Sequence, residues 1–186
     1  KFATECPASF PLPYSENFDD YAAPTSVPYA EPNCWTAWYG GADGTTSSTY
    51  ARIYSTAKRG TTGNGYYLAS TTGNATTAAK EAVAVLPALE GLNQALLHFY
   101  AKASTTTGTR AIKVGISEQQ DDLDSVMAHL TIIDSVETIG KDWDYYTFDL
   151  SSYKGTGKHI VLICYGGNTS VTTLSTTALY TYLDDI

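Results

Sequence analysis

An all-β domain of two antiparallel sheets packed face to face is what this sequence predicts, and three observations carry that prediction. Apolar residues recur with period two along several runs, and stretches rich in Gly, Asn and Thr separate those runs. Thr and Tyr, 15 of the latter in 186 residues, suit pleated, half-exposed positions. An α/β fold would place a helix between successive strands, and helical periodicity is thin here.

The elements follow in chain order. Residues 78–86 contain good helix formers, yet Ala82, Ala84 and Leu86 alternate with Val83 and Val85, and Pro87 would end any helix there. Residues 96–103 read as the next strand. In 110–117, Ile112, Val114 and Ile116 share one face while polar or small residues take the other, as a half-buried strand requires. Residues 119–125 predict one short turn and 126–133 a further strand. Runs 145–150, 159–165 and 179–186 complete the set, with turn-rich segments at 61–65, 71–74, 105–108 and 166–168. Ile112, Val114, Ile116, Phe148, Ile160 and Leu162 are the predicted shared core. The glycosylation-type triplets Asn74-Ala75-Thr76 and Asn168-Thr169-Ser170 agree with exposed loops.

Length and composition bound the class. At 43% hydrophobic content, 186 residues make one sizeable core and are too few for two ordinary domains, so 1–186 reads as a single domain with 1–12 as its lead-in. The 19 acidic residues against 11 basic ones, without a Lys/Arg cluster, argue against a nucleic-acid partner. No apolar run reaches the roughly 20 residues needed to span a bilayer, and residues 1–6 lack the features of a signal peptide. The chain therefore reads as mature and soluble. It stops at Ile186 inside a strand-like run, which leaves open that it is a piece cut from a longer polypeptide.

Cys6, Cys34 and Cys164 lack CxxC spacing and a neighbouring His pair, which argues against zinc and redox chemistry. Cys164 lies in an apolar run and reads as a buried, inert thiol. Cys6 and Cys34 are free to pair in an oxidising compartment, but spacing does not decide it.

Acidic, aromatic segments open and close the chain: Tyr14-Ser15-Glu16-Asn17-Phe18-Asp19-Asp20-Tyr21 and Tyr180-Thr181-Tyr182-Leu183-Asp184-Asp185-Ile186. Compact domains tend to bring their ends together, and carboxylates that meet need water or a cation between them. Calcium suits such a place because it takes six to eight oxygen ligands from carboxylates and backbone carbonyls. Glu16 and Asp19 are candidates from the first segment, Asp184 and Asp185 from the last. Consecutive strand residues point to opposite faces, so one of the final pair would ligate through its side chain. Asp43 is a weaker candidate, since a turn explains it without metal.

These two ends resemble those of the jelly-roll modules in secreted bacterial haemagglutinin-type adhesins, the cleaved adhesin family, and more distantly MAM domains. The resemblance extends through Pro32-Asn33-Cys34-Trp35, Leu86-Pro87-Ala88-Leu89, Leu96-Leu97-His98-Phe99-Tyr100, Lys113-Val114-Gly115-Ile116-Ser117 and the region 143–161. It implies a jelly-roll β-sandwich of the galactose-binding or concanavalin-like architecture. It also implies a structural calcium ion at Glu16, Asp19, Asp184 and Asp185.

Catalytic signatures are missing from the sequence: it has no Gly-x-Ser-x-Gly elbow, no His-Glu-x-x-His and no phosphate-cradling Gly-rich loop. His98, His129 and His159 read as residues on the wet face of strands. The acids Asp121, Asp122 and Asp124, and Asp142 with Asp144, read as solvated loop residues, although a glycosidase would use such pairs. Flat rings beside Gly- or Asp-rich loops are the hint of a ligand face. Trp35 and one of Tyr145 or Tyr146 are expected in the core, leaving Trp38, Tyr39 and Trp143 as the ligand-facing candidates. The sequence thus points to a noncatalytic adhesion or ligand-binding module of a secreted or cell-surface bacterial protein. Its expected partner is host protein or glycan. The alternative is a carbohydrate-binding accessory domain of a larger secreted hydrolase.

Overall fold

The structure, a computed structural model, describes residues 5–24, 30–40, 42–43, 51–71, 79–104, 109–167 and 178–186. In chain order these form β1 (Thr36–Tyr39), β2 (Ala42–Asp43), β3 (Ala51–Tyr54), β4 (Gly65–Ser70), β5 (Ala82–Val85), β6 (Leu96–Ala103), β7 (Thr109–Ser117), α1 (Leu123–Ala128), β8 (Thr131–Val136), β9 (Asp144–Asp149), β10 (His159–Gly167) and β11 (Leu179–Asp184). The two sequons, and the turn segments 72–74, 105–108 and 168, lie outside the described residues.

Two antiparallel sheets result, one with strand order β2-β1-β5-β10-β7-β8 and one with order β3-β4-β11-β6-β9. Their inner faces meet in one core that contains all six predicted residues: Ile112, Val114, Ile116 and Leu162 at 0% exposure, Ile160 and Phe148 at 3%. Period two does this directly, because burying one face of β7 buries every second residue. In β6 the pattern is plainest: Leu97, Phe99, Ala101 and Ala103 point inward while Leu96 and His98 are exposed.

One stretch departs from expectation. Residues 126–133 are not a strand: α1 occupies Leu123–Ala128 and β8 begins only at Thr131. Asp122 explains the helix start, since its carboxylate accepts from the Ser125 backbone N–H at 2.9 Å and caps an otherwise orphaned donor. Val126 then packs into a second apolar cluster with Val83, Val85, Val161 and Ile163, on the outer face of the six-stranded sheet. Burial of that one valine outweighed the weak alternation of the segment. Where β8 rejoins the sheet, the register slips between Val114 and Gly115, and a side chain at Gly115 would meet Leu130 Cδ1 at 2.6 Å.

The lead-in is tied down. Phe10 exchanges backbone hydrogen bonds with Ala88 (2.8 Å) and Glu90 (3.0 Å), and a disulfide joins Cys6 to Cys34 across 28 residues. Cys164 is a free, buried thiol. The chain ends meet as well: Glu16 N–H donates to Ile186 C=O at 2.7 Å, and Ile186 N–H donates back at 2.9 Å.

Candidate functional site

Two features carry chemistry: an acidic seam where the chain ends meet, and an aromatic outer face on the five-stranded sheet. The seam is organised by the loop between β3 and β4. Arg59 N–H donates to Asp184 Oδ2 at 2.6 Å, and Asn64 N–H donates to Asp19 Oδ1 at 3.0 Å, so the loop backbone seats one acid from each end of the chain. Gly63 is required there, with φ +83° and the Asp19 carboxylate occupying the place of any side chain. Asp19, Asp184 and Asp185 line one polar cavity with Arg59, Gly60 and Thr62.

Glu16 is directed elsewhere. Its Oε1 accepts from Phe18 N–H at 2.7 Å and its Oε2 from the Tyr21 hydroxyl at 2.8 Å, so its side chain braces its own segment, and its backbone holds Ile186. Asp185, turned by a left-handed backbone at φ +49°, pairs with the Arg59 guanidinium at 2.6 Å. Asp184 is buried at 6% exposure, and its carboxyl is pushed up to about 6, first by burial and further by the charges of Asp185 and Asp19, against hydrogen bonds from Arg59 and Asp185 that lower it. Among the described residues no three His, Cys, Asp or Glu side chains stand close enough to hold a metal together. The residue types around the cavity, three aspartates with Thr62, are nonetheless the oxygen donors that a hard cation takes. Asp43 lies in β2, and its side chain is outside the described residues.

On the aromatic face, register places Arg52 opposite Tyr67, Tyr67 opposite Tyr182, and Tyr182 opposite Lys102, across β3, β4, β11 and β6. The Arg52 guanidinium lies over the rings of Tyr54 (4.8 Å) and Tyr67 (5.1 Å). Lys102 Nζ lies 5.0 Å from the Trp143 ring and 5.8 Å from that of Tyr182. Beside this row, Tyr100 packs on Tyr145 at 4.9 Å and carries Arg59 over its ring at 4.0 Å. Tyr54, Tyr67, Tyr180 and Tyr182 with Arg52 form a shallow groove of about 100 Å³.

The three aromatic candidates do not share a face. Trp143 flanks this row, but Trp38 packs against the valine cluster outside the other sheet. Tyr39, expected to face ligand, is buried at 4% exposure because the alternation of β1 sends it inward with Ala37. Trp35 is in the core, and of the tyrosine pair Tyr146 packs on the core while Tyr145 is 54% exposed.

The sequence matches no protein-family model and no curated protein. Among solved structures it is similar to the K2 cleaved adhesin domain of Lys-gingipain, with TM-score 0.60 and 14% identity over 92% of this chain and 96% of that one. The K1 domain of Lys-gingipain from Porphyromonas gingivalis W83 gives TM-score 0.58 and 17% identity, covering 92% and 94%. The K3 domain of the same protein gives 0.57 and 12%, covering 93% and 96%. The chain has the cleaved adhesin fold.

Within that fold the remaining titratable candidates have structural occupations. Asp122 caps α1, and hydrogen bonding to Ser125 lowers its carboxyl below the usual range. The His159 ring bonds Leu86 C=O at 3.0 Å, the His129 ring bonds Ser125 C=O at 2.9 Å, and His98 stacks on Tyr145 at 5.6 Å. Asp144 is on the face of β9 opposite to Tyr145, beside Tyr146. No helix among the described residues is long and apolar enough to cross a membrane.

Sequence reasoning missed the tyrosine face and the β3–β4 loop. Both left a signal. Arg52 with Tyr54 and Tyr180 with Tyr182 are spaced by two, so each pair had to share a face. Arg59 just ahead of Thr61-Thr62-Gly63-Asn64-Gly65 marked a turn carrying a cation.

Proposed function

We propose that this domain is a noncatalytic binding module of a secreted or cell-surface bacterial protein, that it recognises glycan, and that a structural calcium ion stabilises it at the seam between its ends. The outer face of the five-stranded sheet carries the reading. Tyr54, Tyr180 and Tyr182 are partly exposed around one groove with Tyr67 buried among them, and flat rings with a polar rim suit the apolar faces and hydroxyl edges of sugars. The likeness in fold to domains named as adhesins supports an adhesive role. Calcium would be held by Asp19 and Asp184, with Asp185 released from Arg59 as a further ligand. That three acids line one cavity, with the Arg59 guanidinium paired to Asp185, supports that assignment.

Printing the purified domain against an array of glycans and host matrix proteins tests this reading. Glycan binding that Tyr182→Ala abolishes is expected. Binding to matrix protein alone, unaffected by Tyr182→Ala, would refute it. Selective binding to plant or storage polysaccharides would place the domain with the accessory modules of hydrolases.

A further inference from the structure

From the leucine-walled cavity between the lead-in and the start of β6, we infer that this domain has a second binding site, which takes an aliphatic amine, with the hydrocarbon chain in the cavity and the ammonium head at its acidic end. The cavity measures about 410 Å³, and small-molecule sites run from about 300 to 1,000 Å³. Its floor is the edge of the core, with Leu86, Leu92, Leu97, Leu150 and Ile186 at 7% exposure or less. Its mouth is apolar as well: Leu12 is 37% exposed and Leu96 60%. A single exposed leucine needs no explanation, but two around one cavity are surface that a hydrocarbon chain laid between them removes from water. The site shares no residue with the tyrosine groove, and with the acidic seam it shares Asp185 alone.

Charge selects the head. Ser15, Glu16 and Asn17 form a wall common to this cavity and to a neighbouring polar one, completed by Asp20, Tyr21 and Asn33. Among the described residues no Lys or Arg lines either cavity. The surrounding acids are Glu16 on the shared wall, Asp20 beyond it, Asp185, and Asp149, which stands opposite Leu96 in register. The cations nearby are Arg59, paired with Asp185 at 2.6 Å, and Lys158, which lines a separate cavity on the far side of Leu89 and Leu92. Of the other titratable groups in the lining, the Tyr14 hydroxyl accepts from Trp35 Nε1 at 3.0 Å and the His98 ring packs on Tyr145. Glu16 keeps room for a further donor, because each of its oxygens takes one hydrogen bond, from Phe18 N–H and from the Tyr21 hydroxyl, and each has a second lone pair. A carboxylate head would meet this end as like charge, an alcohol would find acceptors without a charge gain, and an ammonium finds both.

Titration calorimetry with octylamine, octanol and octanoate tests the inference. Octylamine is expected to bind about tenfold or more tighter than octanoate, with octanol between them. Butylamine, four methylenes shorter, should bind about a hundredfold more weakly than octylamine, since the cavity is filled by the chain. Leu96→Arg, at an exposed side chain, should set a cation at the mouth and weaken octylamine about tenfold while the melting curve stays close to wild type. Ser15→Lys, at an exposed position on the shared wall, should reverse the order so that octanoate binds better than octylamine, a gain that a misfolded chain would not show. Equal affinity for octylamine and octanoate would overturn the inference. Butylamine binding as tightly as octylamine would reduce the effect to ion pairing at the surface and overturn it too. Octylamine binding that neither variant alters would place the ligand elsewhere, and silence with all three octyl probes would leave the cavity without this ligand; either result overturns the inference. None of these outcomes bears on the glycan reading, which rests on a different face.

Discussion

The two outer faces of the sandwich are built to opposite ends. Outside the six-stranded sheet, Val83, Val85, Val161 and Ile163 are covered by α1 through Val126, with Leu123, Leu130 and Trp38 around them. Outside the five-stranded sheet, the equivalent positions carry Arg52, Tyr67, Tyr182 and Lys102, and no helix among the described residues covers them. An aliphatic face must be buried, so the chain supplies a lid; on the other face Tyr67 is buried with Arg52 over its ring, while Tyr182 and Lys102 stay partly exposed, since tyrosine and cationic side chains tolerate water on their polar edges. One face is used for stability, and the other is the face proposed for recognition.

The largest effect should come from breaking the covered face. Val161, at 0% exposure, sits beneath α1, and Val161→Asp would bury a carboxylate with no partner. A loss of about 3–5 kcal/mol is expected, which for a domain of this size means a fall in Tm of roughly 6–20 °C. Tyr182→Ser on the open face should cost about 1 kcal/mol. Comparable losses by thermal unfolding would show that the two faces do not differ in kind.

Calcium at the seam should act on the whole fold, because Asp184 ends β11, the central strand of the five-stranded sheet. An ion held only by the folded form adds roughly 2.7 kcal/mol at a hundredfold excess over its dissociation constant. Chelation is therefore expected to lower Tm by several degrees, at about 2–4 °C per kcal/mol. Asp19→Asn with Asp184→Asn should remove the response. Identical melting curves in chelator and in millimolar calcium would count decisively against the ion.

High pH should act through the tyrosine hydroxyls that burial protects. Burial raises the Tyr14 and Tyr21 hydroxyls from 10.0 to about 12 and pushes Tyr66 well above its ordinary value, aided for Tyr21 and Tyr66 by hydrogen bonds to Glu16 and Glu31. Since the folded form keeps these protons longer than the unfolded chain, stability is unaffected well below pH 10 and falls as pH rises from 10 towards 12. Tyr21→Phe should shallow that decline, at the cost of the bond that Tyr21 accepts from Asn33 N–H. A Tm independent of pH across this window would contradict the burial of these hydroxyls.

Much of this arrangement was readable in the sequence. Ile112, Val114 and Ile116 announced β7 and its inward face because alternation alone decides which side of a strand is buried. The meeting of the ends was readable too, and the structure ties Glu16 to Ile186. What was hidden depended on partners far away in the chain. Val126 becomes helical because a valine patch on β5 and β10 needs a cover, and nothing within residues 119–133 records that need. Glu16 looked equivalent to Asp19 until the positions of Tyr21 and of the β3–β4 loop decided which carboxylate faced which neighbour. Tyr39 was a ring beside glycines, and only the pairing of β1 with β5 assigned its direction.

The smallest expected effect on stability is the sharpest test of the open face. Trp143 is partly exposed, flanks β9 and touches the Lys102 ammonium through its ring face, so its contacts serve the row more than the core. An exposed cation–π contact is worth about 0.5–1 kcal/mol, so Trp143→Ala should move Tm by only a few degrees. A ring that stacks on a ligand contributes far more to binding than to folding, because it is desolvated fully only when the ligand covers it. Affinity for a bound glycan should therefore fall about tenfold or more while the fold persists. Trp38→Ala supplies the contrast, since Trp38 packs on the covered valine cluster: it should lower Tm more than Trp143→Ala and leave affinity unchanged. If both variants lose stability and binding in the same proportion, the division of labour between the two faces does not exist.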